Sequence, residues 1–220
     1  MSSLEDVKVY DLIYVIVNQG IGSKVLRQAK KYGVSGGTII LGKGTIINPF
    51  LNFLSLYDEK KEVVLMVANR EVAENTLDKL NKQFKFDKPH QGIAFTTSTV
   101  EVIGSRSSIF KEDKSQVVDQ PLYQIIVTIV DRGKADDVVE AAKSAGSRGG
   151  TIINARGSGV NETTKVFDME IDPEKEMVII LAKNDATESI MSSIREKLEI
   201  NKPGNGIIYT QDAMNVYGVY

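Results

Sequence analysis

The sequence predicts an α+β protein built from two tandem repeats, each with the order strand, helix, strand, strand, helix, strand. Three observations lead to this prediction. The chain matches itself at a shift of 113 residues, β-branched runs alternate with segments of helical periodicity, and a polar stretch separates the two matching parts. Self-similarity at one fixed shift is the usual sign of a duplicated structural unit.

The internal match defines two repeats. The shift of 113 residues aligns 10–44 with 123–157, including identical Gly-Gly-Thr-Ile-Ile runs that begin at Gly36 and Gly149. From residue 59 onward the shift becomes 114 and aligns the Lys-Pro pairs at 88–89 and 202–203. A unit of about 100 residues is long enough to bury its own core. We therefore expect repeat 1 at 1–104, a serine-rich and charged linker at 105–120, and repeat 2 at 121–220.

Strands are predicted where short apolar, β-branched runs occur, and helices where apolar residues recur at helical spacing. In repeat 1 we expect strands at 13–17, 38–41, 63–68 and 92–97, and helices at 23–32 and from Asn69. In repeat 2 we expect strands at 125–130, 151–154, 177–182 and 206–210, and helices at 135–145 and from Asp185. Asp185 and Glu188 have the spacing of a capping box. This order is that of ferredoxin-like folds, an antiparallel sheet with both helices on one face.

Composition excludes several kinds of function. The chain has no cysteine, which removes disulfides and thiolate sites, and its net charge of −2 offers no basic footprint for nucleic acid. The single histidine, His90, rules out a metal site built on several histidines within one chain. We find no apolar run of about 20 residues that would span a membrane, and no secretory pattern at the N-terminus. We expect a cytoplasmic protein.

Short motifs follow the second strand of each repeat. The Gly-Gly-Thr run leads into Gly42-Lys43-Gly44 in repeat 1 and Ala155-Arg156-Gly157 in repeat 2, and each repeat later contains Lys-Pro-x-x-Gly-Ile. Together these motifs resemble those of the PII-like family of signalling proteins. The resemblance covers both repeats, and repeat 2, with Gly204 and Gly206 in its turn, matches better than repeat 1.

The resemblance implies a regulator rather than an enzyme. PII-like proteins form three-fold rings and bind a nucleotide in clefts between domains, and the ligand reshapes a loop, the T-loop, that contacts a partner enzyme or transporter. Glycines let backbone N–H groups approach an anion, and Lys or Arg supplies the opposite charge. The positions that the resemblance assigns to ligand binding are Gly36, Gly37, Thr38, Lys43, Gly44, Gly92, Gly149, Gly150, Thr151, Arg156, Gly157, Gly204 and Gly206.

The sequence also departs from the family pattern. Thr45-Ile46 and Ser158-Gly159 replace an Arg-Gln pair, and Ile93 and Ile207 stand where a lysine follows the later glycine. Each missing cation removes a charge-assisted contact of about 1.5–3 kcal/mol. An adenine nucleotide of low charge or another small anion is therefore easier to accommodate than a triphosphate. No cofactor is expected apart from such an effector, whose identity the sequence leaves open.

The two T-loops, 45–58 and 158–172, differ in composition. The first contains the apolar residues Phe50, Leu51, Phe53 and Leu54, which we assign to contacts with a partner enzyme, a membrane transporter or another domain of this protein. Arg156 offers a planar fork for an anion where repeat 1 has Lys43. We therefore expect repeat 2 to contribute more to ligand binding and repeat 1 more to docking or assembly.

Two other kinds of function stay open. The paired glycines could serve turns alone, which would make the protein a structural or interaction module with vestigial clefts. A small enzyme is a further alternative, although we find no nucleophile–base pair in the sequence to support it. Because a three-fold ring needs three domains and one chain has two, three chains would supply two stacked rings. We therefore expect a homotrimer.

Overall fold

The computed structural model describes residues 10–45, 59–99, 121–157, 164–166, 169–171 and 173–219. Both helices and strands are present, which confirms the α+β class. The first part contains β1 (Tyr10–Asn18), α1 (Gly22–Lys31), β2 (Thr38–Gly44), β3 (Glu59–Asn69), α2 (Arg70–Phe84) and β4 (Ile93–Ser98). The second contains β5 (Tyr123–Asp131), α3 (Ala135–Ser144), β6 (Thr151–Arg156), β7 (Thr164–Val166), β8 (Met169–Ile171), β9 (Glu174–Lys183), α4 (Asn184–Lys197) and β10 (Ile207–Tyr217).

The chain divides into two compact units whose boundaries differ from those of the repeats. The first unit comprises Met1–Ile40, Glu62–Pro121 and Asp212–Tyr220, and the second comprises Leu41–Lys61 and Leu122–Gln211. Each unit therefore includes one segment from the opposite repeat, 212–220 in the first unit and 41–61 in the second. The linker at 105–120 lies outside the described residues, and the repeat boundaries stay a prediction.

In the first unit, β1 lies between β3 and β4. It pairs antiparallel with β4 in an unbroken register from Asp11 opposite Ser98 to Ile16 opposite Ile93. One face of these strands packs against α1 and α2, and the core there includes the fully buried Ile13, Leu77 and Leu80. Leu77 and Leu80 on α2 therefore form core, where each Leu→Ala change costs about 2–5 kcal/mol.

The C-terminal end of β10 completes the first unit. Met214 lies opposite Thr96 of β4 and Tyr217 opposite Ala94, with a register shift between them where Asn215 takes a φ of 49°. The Asn215 amide donates to Thr96 Oγ1 at 3.2 Å, and the Tyr217 hydroxyl donates to the Asp78 carboxylate on α2. Strand pairing and side-chain contacts thus hold this segment of repeat 2 against repeat 1.

In the second unit, β9 lies between β5 and β6. The β5–β9 register runs unbroken from Tyr123 opposite Lys183 to Asp131 opposite Lys175. The end of β2 pairs with the other edge of β6 and places Gly42, Lys43 and Gly44 opposite Ile153, Ile152 and Thr151. The core under α3 and α4 includes Ile126, Ile180 and Ile194, all fully buried.

A glutamate from a neighbouring strand caps the first helix of each repeat. The helices α1 and α3 begin after Ile21 and Lys134, and neither residue makes a side-chain cap. Instead Glu62 Oε2 on β3 accepts from the Gly22 N–H at 2.6 Å, and Glu176 Oε2 on β9 accepts from the Gly133 and Ala135 N–H groups at 2.9 Å each. A carboxylate there satisfies unpaired amides and is favoured by the helix dipole.

Two predictions about element ends are wrong. The capping box of Asp185 and Glu188 does not form, because Lys183 is the N-cap of α4 and Asp185 lies inside the first turn. The last strand continues to Tyr217 rather than ending near Thr210, because residues 212–217 find a partner in β4. By contrast α2 starts where it was expected, directly after Asn69, whose side chain caps the helix by accepting from the Val72 N–H at 2.9 Å.

Substituting Glu176→Ala should lower the free energy of unfolding by about 1–2 kcal/mol, because two helix-terminal amides lose their acceptor. Glu176→Gln should lose less, since its amide oxygen still accepts. Glu174→Ala on the same strand is the matched control, because its pair with Arg132 is exposed to solvent. Urea unfolding of the full chain measures all three. An equal loss for Glu174→Ala and Glu176→Ala would contradict the capping role.

The Tyr217 hydroxyl should make stability depend on alkaline pH. Burial and the contact with Asp78 raise its pKa to about 12 from an ordinary value of 10.0. The folded state holds this proton more tightly than the unfolded state does. The hydroxyl's contribution to the free energy of unfolding is therefore complete below pH 10, and it is lost as the pH rises through about 12. Tyr217→Phe should reduce stability at neutral pH but flatten the alkaline decline. Unfolding measured across this range, with the exposed Tyr209→Phe as control, checks the difference; parallel declines in all three proteins would contradict it.

Candidate functional site

The second glycine of each Gly-Gly-Thr run lies against a neighbouring strand. A Cβ atom added to Gly37 would lie 2.7 Å from the Leu65 carbonyl oxygen, and one added to Gly150 would lie 3.0 Å from the Ile179 carbonyl oxygen. Leu65 is on β3 and Ile179 is on the corresponding strand β9. Both glycines are therefore required for close backbone approach, whether or not a ligand binds there.

The turn glycines also have a packing role. Gly92 and Gly206 take φ values of +131° and +125°, and a Cβ atom at either position would strike the carbonyl oxygen of the repeat's first strand, Ile16 in one case and Ile129 in the other. Earlier in the same turns, His90 (φ 64°) is exposed and Gly204 (φ 91°) takes the equivalent left-handed conformation. A glycine takes this conformation with less backbone strain than a histidine, so the turn of repeat 2 is less strained at Gly204 than the turn of repeat 1 is at His90.

The two basic residues of the motifs are exposed at different ends of β6. Lys43 on β2 lies opposite Ile152, and the neighbouring Gly44 is covered by the stem of Lys61. Arg156 ends β6 opposite Glu174 of β9. Beside it the Gly157 N–H donates to the Pro173 carbonyl at 3.1 Å, which closes the base of the second loop. A Cβ atom at Gly157 would meet nothing within 4 Å.

Charges of both signs surround Arg156. Glu174 accepts a hydrogen bond from the Arg132 guanidinium, which lowers the pKa of that carboxyl below its usual value, and Arg156 contributes in the same direction. Nearby, Lys175 Nζ donates to Asp131 Oδ1 at 2.6 Å. Arg132 and Lys175 each have a carboxylate partner. Arg132 interacts more strongly with Glu174 than Arg156 does.

The structure brings the predicted residues together in separate groups. The first unit holds Gly36, Gly37, Thr38 and Gly92. In the second unit the end of β2 places Lys43 and Gly44 beside Gly149, Gly150 and Thr151. The remaining residues of that unit lie at the loop base (Arg156, Gly157) and in the turn after α4 (Gly204, Gly206).

Several predictions concern residues beyond these groups. Phe50, Leu51, Phe53 and Leu54 lie outside the described residues, as does most of each T-loop. Within the part of the second loop that is described, β7 and β8 pair antiparallel, with Lys165 opposite Glu170. Among the described residues, no group of three or more His, Cys, Asp or Glu side chains is placed to hold a metal ion. Nor is any described helix both long and apolar enough to cross a membrane.

Comparison with known proteins identifies the second repeat. The family model "Nitrogen regulatory protein P-II" matches residues 123–220. The second repeat is PII-like. This match confirms the family predicted from the Gly-Gly-Thr, Ala-Arg-Gly and Lys-Pro-x-x-Gly-Ile motifs of that repeat.

The chain was also compared with solved structures and with curated proteins. A solved structure that matches is the crystal structure of Arabidopsis thaliana PII bound to citrate, with 24% identity and a TM-score of 0.33. The match covers 43% of this chain and 77% of that one. No curated protein matches the chain.

The sequence motifs miss one residue with a direct role at these groups. Thr45 immediately follows the Gly-Lys-Gly element, and its backbone and hydroxyl both bond to Gly150. The family pattern drew attention to Thr45 only as the place of an absent arginine. The sequence signal that could have identified Thr45 is its hydroxyl, which can both donate and accept a hydrogen bond directly after the end of β2.

Packing and ligand roles of the glycines can be separated by alanine substitution. Gly206→Ala should destabilise the fold by about 1–3 kcal/mol, because the residue is left-handed and its Cβ atom meets a backbone oxygen. Gly157→Ala and Gly36→Ala should leave the melting temperature unchanged, since a Cβ atom meets nothing within 4 Å at either position. Thermal unfolding of the three variants measures this. A large loss in Gly36→Ala would mean that this glycine, too, is structural.

Proposed function

We propose that the protein is a non-enzymatic PII-like regulator. It binds a small effector, an adenine nucleotide or another small anion, and it controls a partner enzyme or transporter through the loops 45–58 and 158–172. The observation that carries this proposal is the family match over residues 123–220, which contain a complete β5–α3–β6–β9–α4–β10 series with its T-loop. Proteins of this family are generally regulators without catalytic activity.

The chemistry of the second loop base supports an anionic effector. Arg156 is exposed, its neighbour Gly157 leaves room for a ligand, and the only described carboxylate paired with it across the strands already bonds to Arg132. A guanidinium beside an open glycine suits a phosphate or carboxylate oxygen, because charge-assisted bonds to a planar fork are the strongest available.

Three finer features belong to the same proposal. We infer that the two repeats are ferredoxin-like domains at 1–104 and 121–220, since each repeat has its strands and helices in the βαββαβ order and the strands flanking β1 and β5 correspond. We also propose a homotrimer and a cytoplasmic location. Static light scattering of the purified chain tests the assembly: a mass of three chains supports it, and a stable single chain of 24.2 kDa contradicts it.

The packing of the glycines favours one alternative. Because Gly37, Gly92, Gly150 and Gly206 each abut a backbone oxygen, the motif could persist for the fold alone. The protein would then be an interaction module without an effector. Such a module would bind its partner equally well with and without nucleotide, which distinguishes it from a ligand-dependent regulator.

Effector binding is tested by the melting temperature of the full chain with AMP, ADP, ATP, cyclic dinucleotides and citrate. At least one should raise it, and a ligand at one hundred times its dissociation constant adds about 2.7 kcal/mol. Arg156→Ala should weaken that ligand by about 1.5–3 kcal/mol, tenfold to over a hundredfold. Lys43→Ala should cost less. The exposed Arg195→Ala on α4 is the control. If no ligand shifts the melting temperature, or if Arg156→Ala and Arg195→Ala bind alike, the proposal fails in this form.

A further inference from the structure

The two Gly-Gly-Thr runs are identical in sequence but lie in different surroundings. Each opens the second strand of its repeat, and we call the run beginning at Gly36 the first strand opening and the run beginning at Gly149 the second strand opening. From the sequence we expect both runs to line ligand sites and repeat 2 to contribute more to ligand binding. The structure distinguishes them through one residue, Thr45.

Thr45 fills the second strand opening. The Gly150 N–H donates to Thr45 Oγ1 at 2.8 Å, while the Thr45 N–H and hydroxyl both donate to the Gly150 carbonyl, at 2.9 and 3.1 Å. The backbone donor that would serve an anion is therefore already bonded to a hydroxyl oxygen. A Cβ atom on Gly149 would overlap the Thr45 carbonyl oxygen, so the chain is in close contact there as well.

The threonine of the second strand opening is buried as well, where β2 pairs with β6. Thr151 is 5% exposed, and it lies between Gly44 of β2 on one side and Ile179 of β9 on the other. A Cβ atom added at Gly42 would lie 3.2 Å from the Thr151 methyl group. Strand β2 thus covers this opening along its length, from Gly42 to Thr45.

The first strand opening is accessible. A Cβ atom on Gly36 would meet nothing within 4 Å, in contrast to its counterpart Gly149. Gly37 and Thr38 are both exposed, whereas Gly150 is half-buried and Thr151 is buried. The neighbours of Gly37 all lie on its inner side, on β3 and α1. The outer side of this run is open to solvent.

We propose that Thr45 acts as a built-in substitute for a ligand oxygen at the second strand opening, and that the first strand opening is the one accessible to a small anionic effector. This assignment rests on the proposed function as far as the effector is concerned. The closure by Thr45 stands independently of it. The assignment reverses the expectation from sequence for the strand openings, and it leaves Arg156, at the other end of β6, as a candidate contact.

The test uses the natural absence of cysteine in the chain. Thr38→Cys and Thr151→Cys are matched single-cysteine variants of the full protein. Each is treated with the sulfonatoethyl methanethiosulfonate anion, which serves both as thiol reagent and as small anionic probe. Thr38→Cys should react at least about tenfold faster, because a covered site reacts only through local opening. Adding Thr45→Ala should accelerate the reaction at position 151 and leave that at position 38 unchanged.

Equal rates at positions 38 and 151, or no acceleration by Thr45→Ala, would overturn the proposal. If Thr151→Cys fails to fold, amide hydrogen exchange of the natural chain decides instead: the Gly150 amide should exchange more slowly than the Gly37 amide, and Thr45→Ala should remove the difference. Similar exchange at Gly37 and Gly150 in the natural chain would likewise overturn the proposal.

Labelling in the presence of AMP distinguishes failure of this proposal from failure of the proposed function. AMP should slow labelling of Thr38→Cys and not of Thr151→Cys. Protection of Thr151→Cys alone would overturn the assignment of the accessible site. Different labelling rates without protection of either position would uphold the closure by Thr45 and count against AMP binding, which the thermal panel tests with the other ligands. Gly36→Ala, which leaves the fold unstrained, should abolish any protection at position 38.

Discussion

Backbone pairing between the end of β2 and the start of β6 is the interaction on which the sheet of the second unit depends. A short strand at the edge of a sheet leaves N–H and C=O groups without partners. The edge of β6 is covered by Gly42, Lys43 and Gly44, and the pairing continues through Thr45 to Gly150. Side chains on those glycines would collide with β6 or with Lys61, so the Gly-x-Gly spacing is a condition for the two repeats to share a sheet within this unit.

The same constraint explains why each compact unit takes a segment from the other repeat. The second unit needs 41–45 beside β6, and the first needs 212–217 beside β4. Duplication supplies both segments in one chain, so their pairing does not pay the association entropy of separate molecules. Glu62 and Glu176 cap equivalent helices in each repeat. The capping carboxylates were kept in both copies, whereas Thr45 has Ser158 as its counterpart in the sequence.

Local periodicity allowed most elements to be predicted, because apolar spacing and β-branched runs are properties of neighbouring residues. The helix α2, expected from Asn69, begins at Arg70, and the strand β3, expected at 63–68, spans Glu59–Asn69. The far half of β10 could not be predicted, since Asp212, Asn215 and the bulge between Met214 and Tyr217 obscure its alternation and its partner lies over a hundred residues away. The motifs predicted which residues belong to the candidate site, but they did not predict what surrounds each residue. Whether a glycine faces solvent or a carbonyl oxygen depends on tertiary contacts, which is why Gly36 and Gly149 differ.

The contact between Thr45 and Gly150 makes the two strand openings unequal. A ring of identical domains gives every cleft the same affinity, whereas a duplicated chain lets a single side chain close one strand opening and leave the other exposed. Thr45 is bonded to Gly150 and is the first residue of the loop 45–58, so any displacement of Gly150 must be accommodated at the start of that loop. A ligand shifts a two-state element only by its difference in affinity for the two states. Three hydrogen bonds between Thr45 and Gly150 form a discrete contact that is either made or broken, and a contact of that kind can define two such states.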